Sequence, residues 1–363
     1  MVYDVGIIGA GVAGSRLAWL LGECGYNVLL LEKNEEIKRD TGVVSCDIKN
    51  IIPLKENLIK YKIKEMKFIS PSGYEFTLHS NKPFCYILKR DKFGKWLRRE
   101  AEKRCELVYE EFKNMRITDS EAKIKTKNSE YKAKMIVGAD GALSKVRACL
   151  GIRKPKIFFG AMHPGKKIDD KPAIWFNKKY SQHFFAWFSP PNEYGLITKR
   201  DIKEKFKHFT KDRNILFSVD KLYARPIPIG FVKSFSYRAI LIGDACGQVK
   251  PVTGGGIVFS LLAARIAAKT IRKGIKENNF SSSMLAEYEK RWKSLLANEI
   301  RFQLLLRRIF SLMNNRQIDG FFKEFGKEIE NINNFNYDRI ISLFKQIRKE
   351  KFLKYIVRFI CQS

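Results

Sequence analysis

The sequence predicts an α/β chain: one lobe built on a parallel sheet, a second lobe built on an antiparallel sheet, and a helical C-terminal region. Three observations predict it. A glycine-rich turn lies between two short apolar runs within the first 32 residues. Two further Gly/Asp turns end apolar runs at residues 138–141 and 243–244. Between and after these turns the pattern changes, first to aromatic-rich stretches of strand character and then to long segments of helical period.

Residues 3–8 read as a buried strand, and Gly9-Ala10-Gly11-Val12-Ala13-Gly14 follows at once. A helical pattern from Ser15 to about Gly22 leads to a second buried strand, residues 28–31, ending in Glu32. Strand, G-x-G-x-x-G, helix, strand and an acid about twenty positions on form the dinucleotide fingerprint in its proper setting, so the first lobe is Rossmann-like. Gly9 makes the tight turn, Gly11 admits a pyrophosphate, and Gly14 lets helix and strand pack closely. Glu32 accepts hydrogen bonds from ribose hydroxyls and repels a 2′-phosphate.

Further along, Pro71-Ser72-Gly73 between apolar-rich arms predicts a hairpin over residues 62–76. The apolar run 86–88 leads into Arg90-Asp91-Lys92-Phe93, and residues 135–137 form a short strand ending in Gly138-Ala139-Asp140-Gly141. Residues 151–235 carry Ile157-Phe158-Phe159 and Phe184-Phe185-Ala186-Trp187-Phe188, and read as an antiparallel sheet roofing the nucleotide lobe. The run 239–242 then ends in Gly243-Asp244, and Gly254-Gly255-Gly256 opens a helix over 257–273. Asp244 is placed to accept hydrogen bonds from ribityl hydroxyls. The glycines let backbone N–H groups approach a ring, and the helix N-terminus favours negative charge there. The first turn fits FAD or NAD alike; a second grip at Gly243 to Ile257 favours FAD.

From residue 283 the chain reads as helical, with one helix over 285–310, an Asn-rich loop over 328–337 and a second helix over 339–360. The second carries an apolar stripe (Ile340, Leu343, Phe344, Ile347, Phe352, Tyr355, Ile356, Phe359) flanked by Lys and Arg. It fits either an interfacial membrane helix or a terminal helix packed on the second lobe. The expected domains are therefore 1–60, 86–150 and 236–280 for the cofactor, 61–85 and 151–235 for the substrate, and 281–363 for the helical region.

Composition bounds the function. With 69 basic and 38 acidic residues the net charge is +31. That charge fits a solvated surface, or attraction to an anionic lipid headgroup and bilayer. It also fits nucleic-acid binding, but the basic residues are dispersed and no recognition motif is present, so no nucleic-acid partner is expected. Seven scattered cysteines, odd in number, predict reduced thiols, a cytoplasmic address and no structural zinc. The four separated histidines predict no metal site. The first residues enter a strand directly, with no leader pattern. The most apolar stretch, 254–268, is interrupted by Arg265 and falls short of a membrane span. Peripheral contact at the inner face of the membrane remains open as a location.

The set Gly9/Gly11/Gly14, Glu32, Arg90 to Phe93, Gly138 to Gly141 and Gly243-Asp244…Pro251…Gly254-Gly255-Gly256-Ile257 resembles the flavoproteins built like para-hydroxybenzoate hydroxylase. Within that group the chain is similar to the geranylgeranyl reductases, archaeal digeranylgeranylglycerophospholipid reductases included, over residues 1 to about 310. The resemblance implies FAD as cofactor. It places Ala13 and Gly14 at the pyrophosphate, Glu32 at the ribose, Thr41 and Gly42 in the loop beside the flavin, Arg90 at the phosphate or ribityl region, Asp244 at the ribityl chain, and Gly255, Gly256 and Ile257 at the ring. The implied activity is saturation of C=C bonds in the geranylgeranyl chains of a membrane lipid or its precursor, with NAD(P)H, a ferredoxin or a deazaflavin as electron donor. A channel holding about twenty prenyl carbons gains more than ~10 kcal/mol gross, at about 0.8 kcal/mol per CH₂.

Two departures stand out. Where the reductases carry a cysteine near residue 40, this chain has Asp40; Cys46, six residues later, reaches the ring only if the loop is rearranged, and otherwise is a small buried residue. Phe185-Ala186-Trp187-Phe188-Ser189-Pro190 resembles the family's Tyr-x-Trp-x-Phe-Pro with Phe for Tyr and Ser for Phe, which makes Phe185, Trp187 and Pro190 candidates for positioning the lipid. An FAD monooxygenase acting on an apolar substrate is the rival enzyme reading. A basic membrane- or nucleic-acid-binding protein with a vestigial flavin site is the rival of another class.

Overall fold

In the computed structural model, residues 1–37, 41–332, 335–348, 350–351 and 355 are described. The apolar run at the N-terminus forms the strand Val2–Ile8, which pairs in parallel with Val28–Glu32 on one side and Glu130–Gly138 on the other. Glu106–Tyr109 and Ala239–Leu241 extend the parallel sheet outward. Phe112–Ile117 and Ala122–Thr126 add an antiparallel hairpin onto Glu130–Gly138. The inner strands are apolar on both faces because both are covered. Parallel strands share a direction, so the turns after Ile8, Glu32, Gly138 and Leu241 all leave the same edge of the sheet, where open α/β sheets bind ligands.

The helices, in chain order, are α1 (Val12–Gly22), α2 (Arg90–Glu102), α3 (Lys145–Cys149), α4 (Ile202–Lys211), α5 (Ile257–Lys276), α6 (Ser282–Leu312), α7 (Asn315–Glu330) and α8 (Ile340–Phe344). One face of the parallel sheet packs on α1, α2 and α5 around Leu17, Phe93, Leu97 and Leu261. The opposite face packs on the hairpin through Phe112 and Ile124.

The second sheet has seven strands in the order Tyr223–Ile229, Lys156–Pro164, Glu193–Thr198, Ala186–Ser189, Ala173–Trp175, Glu65–Ile69, Glu75–His79. Alternation along Glu193–Thr198 sends Tyr194 and Leu196 into a cluster with Phe206 and Phe209 of α4, and Ile197 to the other face with Phe158 and Phe184. The 61–85 stretch divides between two sheets. Glu65–Ile69 and Glu75–His79 join the seven-stranded sheet, while Cys85–Leu88 is the central strand of a small sheet of three, between Val43–Ser45 and Ile59–Ile63.

The C-terminal region departs from the sequence reading. α7 was not among the expected elements, although Ile318, Phe322, Phe325 and Ile329 share one buried face and Asn314 with Gln317 forms a capping box. The helix expected over 339–360 is not continuous: α8 ends at Phe344, and a turn follows over residues 345–347. Ile347 is buried with Phe76 and Phe322, and the Tyr355 ring packs on Phe321 and Phe325 of α7. These apolar residues face the protein because α7 and the Glu75–His79 strand offer a complementary surface. Lys349, Phe352, Lys354, Ile356, Arg358 and Phe359 of the expected stripe lie outside the described residues. No described helix is long and apolar enough to cross a membrane.

Asp319 of α7 fastens the second sheet to the helices. Its carboxylate accepts hydrogen bonds from Ser70 Oγ (2.5 Å), Ser72 N (3.0 Å) and Ser72 Oγ (2.7 Å) at the Pro71-Ser72-Gly73 hairpin turn. Burial opposes the charge, but the bonds from Ser70 and Ser72 outweigh it and hold the carboxyl below the ordinary Asp value. A depressed carboxylate stabilises the fold above its unfolded-state pKa and loses that contribution as pH falls through the folded value. Asp319→Ala is expected to cost about 2 kcal/mol in chemical denaturation at neutral pH. Asp319→Asn should flatten the part of the stability loss that wild type shows below about pH 4.

Candidate functional site

The first turn is shaped by close backbone approach. Gly9 sits at φ +103°, and a Cβ there would lie 2.5 Å from the Ala139 carbonyl oxygen. At Gly14 a Cβ would overlap the Gly9 carbonyl oxygen. Gly11 is the opposite case: a Cβ there meets nothing within 4 Å, so its open face leaves room for a ligand group. Gly11 is the N-cap of α1, which has no side-chain cap and no acid in its first turn. The first amides of α1, at Val12 and Ala13, therefore face the cleft that these residues line. At the end of the second strand, Glu32 Oε2 accepts from Ala10 N at 2.9 Å, with Arg98 Nη2 at 3.9 Å.

The Gly243 turn meets the first one directly. A Cβ on Gly243 (φ +64°) would lie 3.0 Å from Ala13 Cβ and from Ser260 Oγ of α5. Gly243 N donates to Gln248 Oε1 at 2.7 Å, and Gln248 Nε2 donates to the Tyr288 hydroxyl at 2.9 Å. Arg147 braces the same loop from the middle turn, donating to the Ala245 carbonyl at 2.7 Å and the Ala142 carbonyl at 3.0 Å. Gly256, where a Cβ would fall 3.0 Å from Asp244 Oδ1, is the N-cap of α5, again with no side-chain cap and no acid in the first turn. Two bare helix N-termini thus open on one cleft. In the middle turn, Asp140 Oδ2 accepts from Lys145 N (2.7 Å) and Val146 N (3.1 Å) and so caps α3. Its other oxygen is buried without a partner among the described residues, and burial raises its pKa.

A single cavity of ≈ 790 Å³ runs from this cleft into the second lobe. Gly9, Gly11, Ala13, Glu32, Thr41, Gly42, Arg90, Asp244, Gly255, Gly256 and Ile257 line its polar part. Gly42 (φ +66°) packs so closely that a Cβ would lie 2.7 Å from Arg90 Cγ. The far part is apolar, walled by Phe68, Phe76, Phe176, Phe185, Phe310 and Phe322. Trp187 lines the cavity too; its indole lies across Gly195 of the neighbouring strand, where no Cβ would fit. Glycine there is the condition for the indole's position.

Gly14 lies beneath the turn and packs rather than lines. Pro190 follows the Ala186–Ser189 strand and is not among the lining residues. Cys46 does not line the cavity: its Sγ donates to the Pro83 carbonyl at 3.0 Å, and burial pushes the thiol pKa up. Asp40 lies outside the described residues. Sequence reasoning missed the wall that α6, α7 and the segment after them supply through Leu306, Arg307, Ile318, Phe322 and Tyr337. The apolar spacing of α7 was the available signal.

Beside Gly255 lies a buried ion pair that sequence reasoning also missed. Lys250 Nζ is 2.6 Å from Asp338 Oδ1 and 4.1 Å from the centre of the Tyr337 ring, with Lys250 and Asp338 only 3% and 5% exposed. Asp338 N donates to Asn336 Oδ1 (2.9 Å), and Asn336 Nδ2 donates to Asp47 Oδ2 (2.7 Å). This clasp holds residues 335–339 against the flank of the glycine turn.

Comparison with known proteins agrees with the geometry. Residues 7–39 match the family model for an NAD(P)-binding Rossmann-like domain. The fold is that of the flavin-dependent oxidoreductases: a flavin-dependent brominase, Bmp2, superposes at TM-score 0.72 with 18% identity over 100% of this chain and 98% of that one. A geranylgeranyl bacteriochlorophyll reductase-like protein from Thermoplasma acidophilum superposes at TM-score 0.87 with 20% identity, covering 100% of this chain and 99% of its own. Among curated proteins, digeranylgeranylglycerophospholipid reductase of Methanocaldococcus jannaschii is 27% identical, covering 98% of this chain and 97% of that protein. Digeranylgeranylglycerophospholipid reductase 2 of Methanopyrus kandleri is 25% identical and covers 98% of each. The similarity to these reductases runs over nearly the whole of this chain and of theirs.

Two outcomes follow from the packing. Gly11→Val should fold with a melting temperature near wild type yet fail to retain a dinucleotide on desalting, whereas Gly14→Val should unfold, because its side chain has no free volume. Lys250→Met alone is expected to cost about 3–5 kcal/mol in denaturant titration, with much of that loss recovered in Lys250→Met/Asp338→Leu, since the single variant strands a buried carboxylate.

Proposed function

We propose that this protein is an FAD-dependent reductase that saturates carbon–carbon double bonds in the geranylgeranyl chains of a membrane lipid or its precursor. The observation that carries this reading is the continuity of the cavity: a dinucleotide cleft with two bare helix N-termini runs without interruption into a channel walled by phenylalanines. The likeness to reductases named for digeranylgeranylglycerophospholipid supports the choice of substrate.

In this reading Gly11, Ala13 and the first amides of α1 receive the FAD pyrophosphate and Glu32 the ribose. Thr41, Gly42 and Arg90 flank the cofactor, Asp244 takes the ribityl hydroxyls, and Gly255, Gly256 and Ile257 border the ring. Bound there, FAD supplies the two-electron reducing chemistry of the site. The chain's own contribution is positional. An unactivated alkene gains little from polarisation, so rate comes from holding the prenyl segment in one orientation and keeping water out. Phe185 and Trp187 on the sheet side, with Phe310 and Phe322 on the helical side, serve both ends. The N-termini of α1 and α5 favour accumulation of negative charge in the cleft.

The one dinucleotide turn that the sequence carries is taken by FAD in this reading, and we infer that the electrons come from a donor that docks transiently. The +31 charge supports contact with an anionic membrane surface, where such a lipid resides.

The decisive experiment mixes dithionite-reduced, FAD-loaded protein with a digeranylgeranyl phospholipid under anaerobic conditions. Flavin reoxidation with a mass gain of two hydrogens per bond is the expected result. A lack of reoxidation, with hydroxylated product appearing once oxygen is admitted, would instead establish a monooxygenase. Phe322→Asp, which sets a charge in the channel, is expected to lower lipid turnover by roughly tenfold or more while FAD occupancy stays at the wild-type level.

A further inference from the structure

On the sheet side of the cavity a cation, Arg307, stands without a counter-ion among the described residues. Arg307 of α6 lines the cavity, with its guanidinium carbon 4.0 Å from the Phe158 ring centre and 4.6 Å from that of Phe184. No carboxylate among the described residues pairs with it, and its Nε is buried without a hydrogen-bond partner. Burial alone pushes its pKa down to about 10.

The neighbours deepen the imbalance. His183 also lines the cavity, edge-on to Phe158 at 5.6 Å. Its pKa is lowered by burial first and then by Arg307, Lys178, Lys199 and Lys205, every charged contributor being a cation. Lys178 is already engaged by the Gln182 carbonyl at 2.9 Å and the Phe310 carbonyl. Trp187 adds a second buried donor without a partner, its Nε1, on the cluster of Phe158, Phe184 and Ile197.

An unpaired charge in apolar surroundings is costly unless something answers it. A guanidinium packed over two rings that meet at 65° is shielded by apolar surface yet engaged by no described carboxylate, and phosphate and carboxylate are the bidentate acceptors that match it. The adjoining space is apolar, so the anion belongs to a molecule with a greasy tail. In the reading above the dinucleotide pyrophosphate is provided for elsewhere, at the N-terminus of α1.

We propose that Arg307, assisted by His183 and the Trp187 indole N–H, is the anion subsite of the channel and binds the phosphate of a prenyl-chain substrate. This rests on the prenyl-channel reading above and adds to it where the phosphate sits. The same chemistry is presented by a phospholipid headgroup and by a soluble prenyl phosphate.

The test measures binding to the FAD-loaded protein by fluorescence titration. The probes are geranylgeranyl phosphate, digeranylgeranylglyceryl phosphate, geranylgeraniol and inorganic phosphate, and the proteins are wild type, Arg307→Met and Arg307→Lys. Arg307→Met is expected to weaken the phosphorylated probes about ten- to a hundred-fold and to leave geranylgeraniol within about twofold, with partial recovery in Arg307→Lys. A larger loss for the glyceryl phosphate assigns the subsite to a lipid headgroup, and a larger loss for geranylgeranyl phosphate assigns it to a soluble precursor; either supports the proposal. Equal wild-type affinity for phosphate and alcohol, or an equal loss for both in Arg307→Met, overturns it. Should no prenyl probe bind any variant, the prenyl channel itself falls. The anion subsite then stands only if inorganic phosphate raises the melting temperature of wild type and not that of Arg307→Met, and falls if the shift is the same. Arg307→Gln carries the comparison if the Met variant does not fold.

Discussion

Backbone approaching backbone, with no side chain between, is the constraint on which this molecule rests. Gly9 lies against the Ala139 carbonyl and Gly14 against the Gly9 carbonyl, while the Gly243 backbone packs on the Ala13 methyl group. The first and third contacts join turns that are far apart in sequence, the second closes the first turn onto its own helix, and none admits a Cβ without displacement. Because the three strands before these turns run parallel, their ends arrive at one edge of the sheet, and the missing side chains let the turns close to van der Waals distance there. The cleft is what remains between them, bordered by the N-termini of α1 and α5.

Buried polar groups then hold the cleft's irregular loops in one shape. Gln248 reaches back to the Gly243 amide and onward to Tyr288, Arg147 ties the middle turn to Ala245, and Lys250 with Asp338 pins the chain after α7 beside Gly255. Loops of this kind cannot satisfy their own backbone groups, so side chains from other elements do it. A fixed loop matters in a site whose contribution is orientation, since a shift of an ångström there is felt as rate.

The cavity joins two environments that seldom share one wall. Near the glycine turns it offers amides and carboxylates; beyond them, aromatic rings from both the antiparallel sheet and the C-terminal helices enclose it. The rings pack mainly at tilted and edge-on angles, as Phe76 does with Phe322 and Phe176 with Phe310, which builds a rigid wall from residues with few rotamers. Arg307 is the exception in that wall, and its isolation from any described carboxylate is the strongest sign that the channel is made for a molecule with one charged end.

Short-range pattern made the nucleotide lobe legible. The glycines at 9, 11 and 14, the acid at 32 and the Gly243-Asp244 turn are local devices, so their spacing carries their geometry, and the Pro71-Ser72-Gly73 hairpin was readable for the same reason. The helical region was less legible. An amphipathic stripe states that one face is covered but not by what, so residues 339–360 fitted a membrane surface as well as a protein one until α7 and the Glu75–His79 strand were seen to bury Ile347. Cys46 was likewise undecidable, because only the fold shows its thiol turned to Pro83 and away from the cavity. The sequence by itself determined the strand–turn–helix units and the chemistry that their turns present, since these depend on neighbours within a few positions. Only the tertiary structure decided which distant side chains wall the channel, pair Lys250 with Asp338 and set Arg307 against two rings with no described carboxylate beside it, because such contacts depend on how whole elements pack and not on any local run of residues.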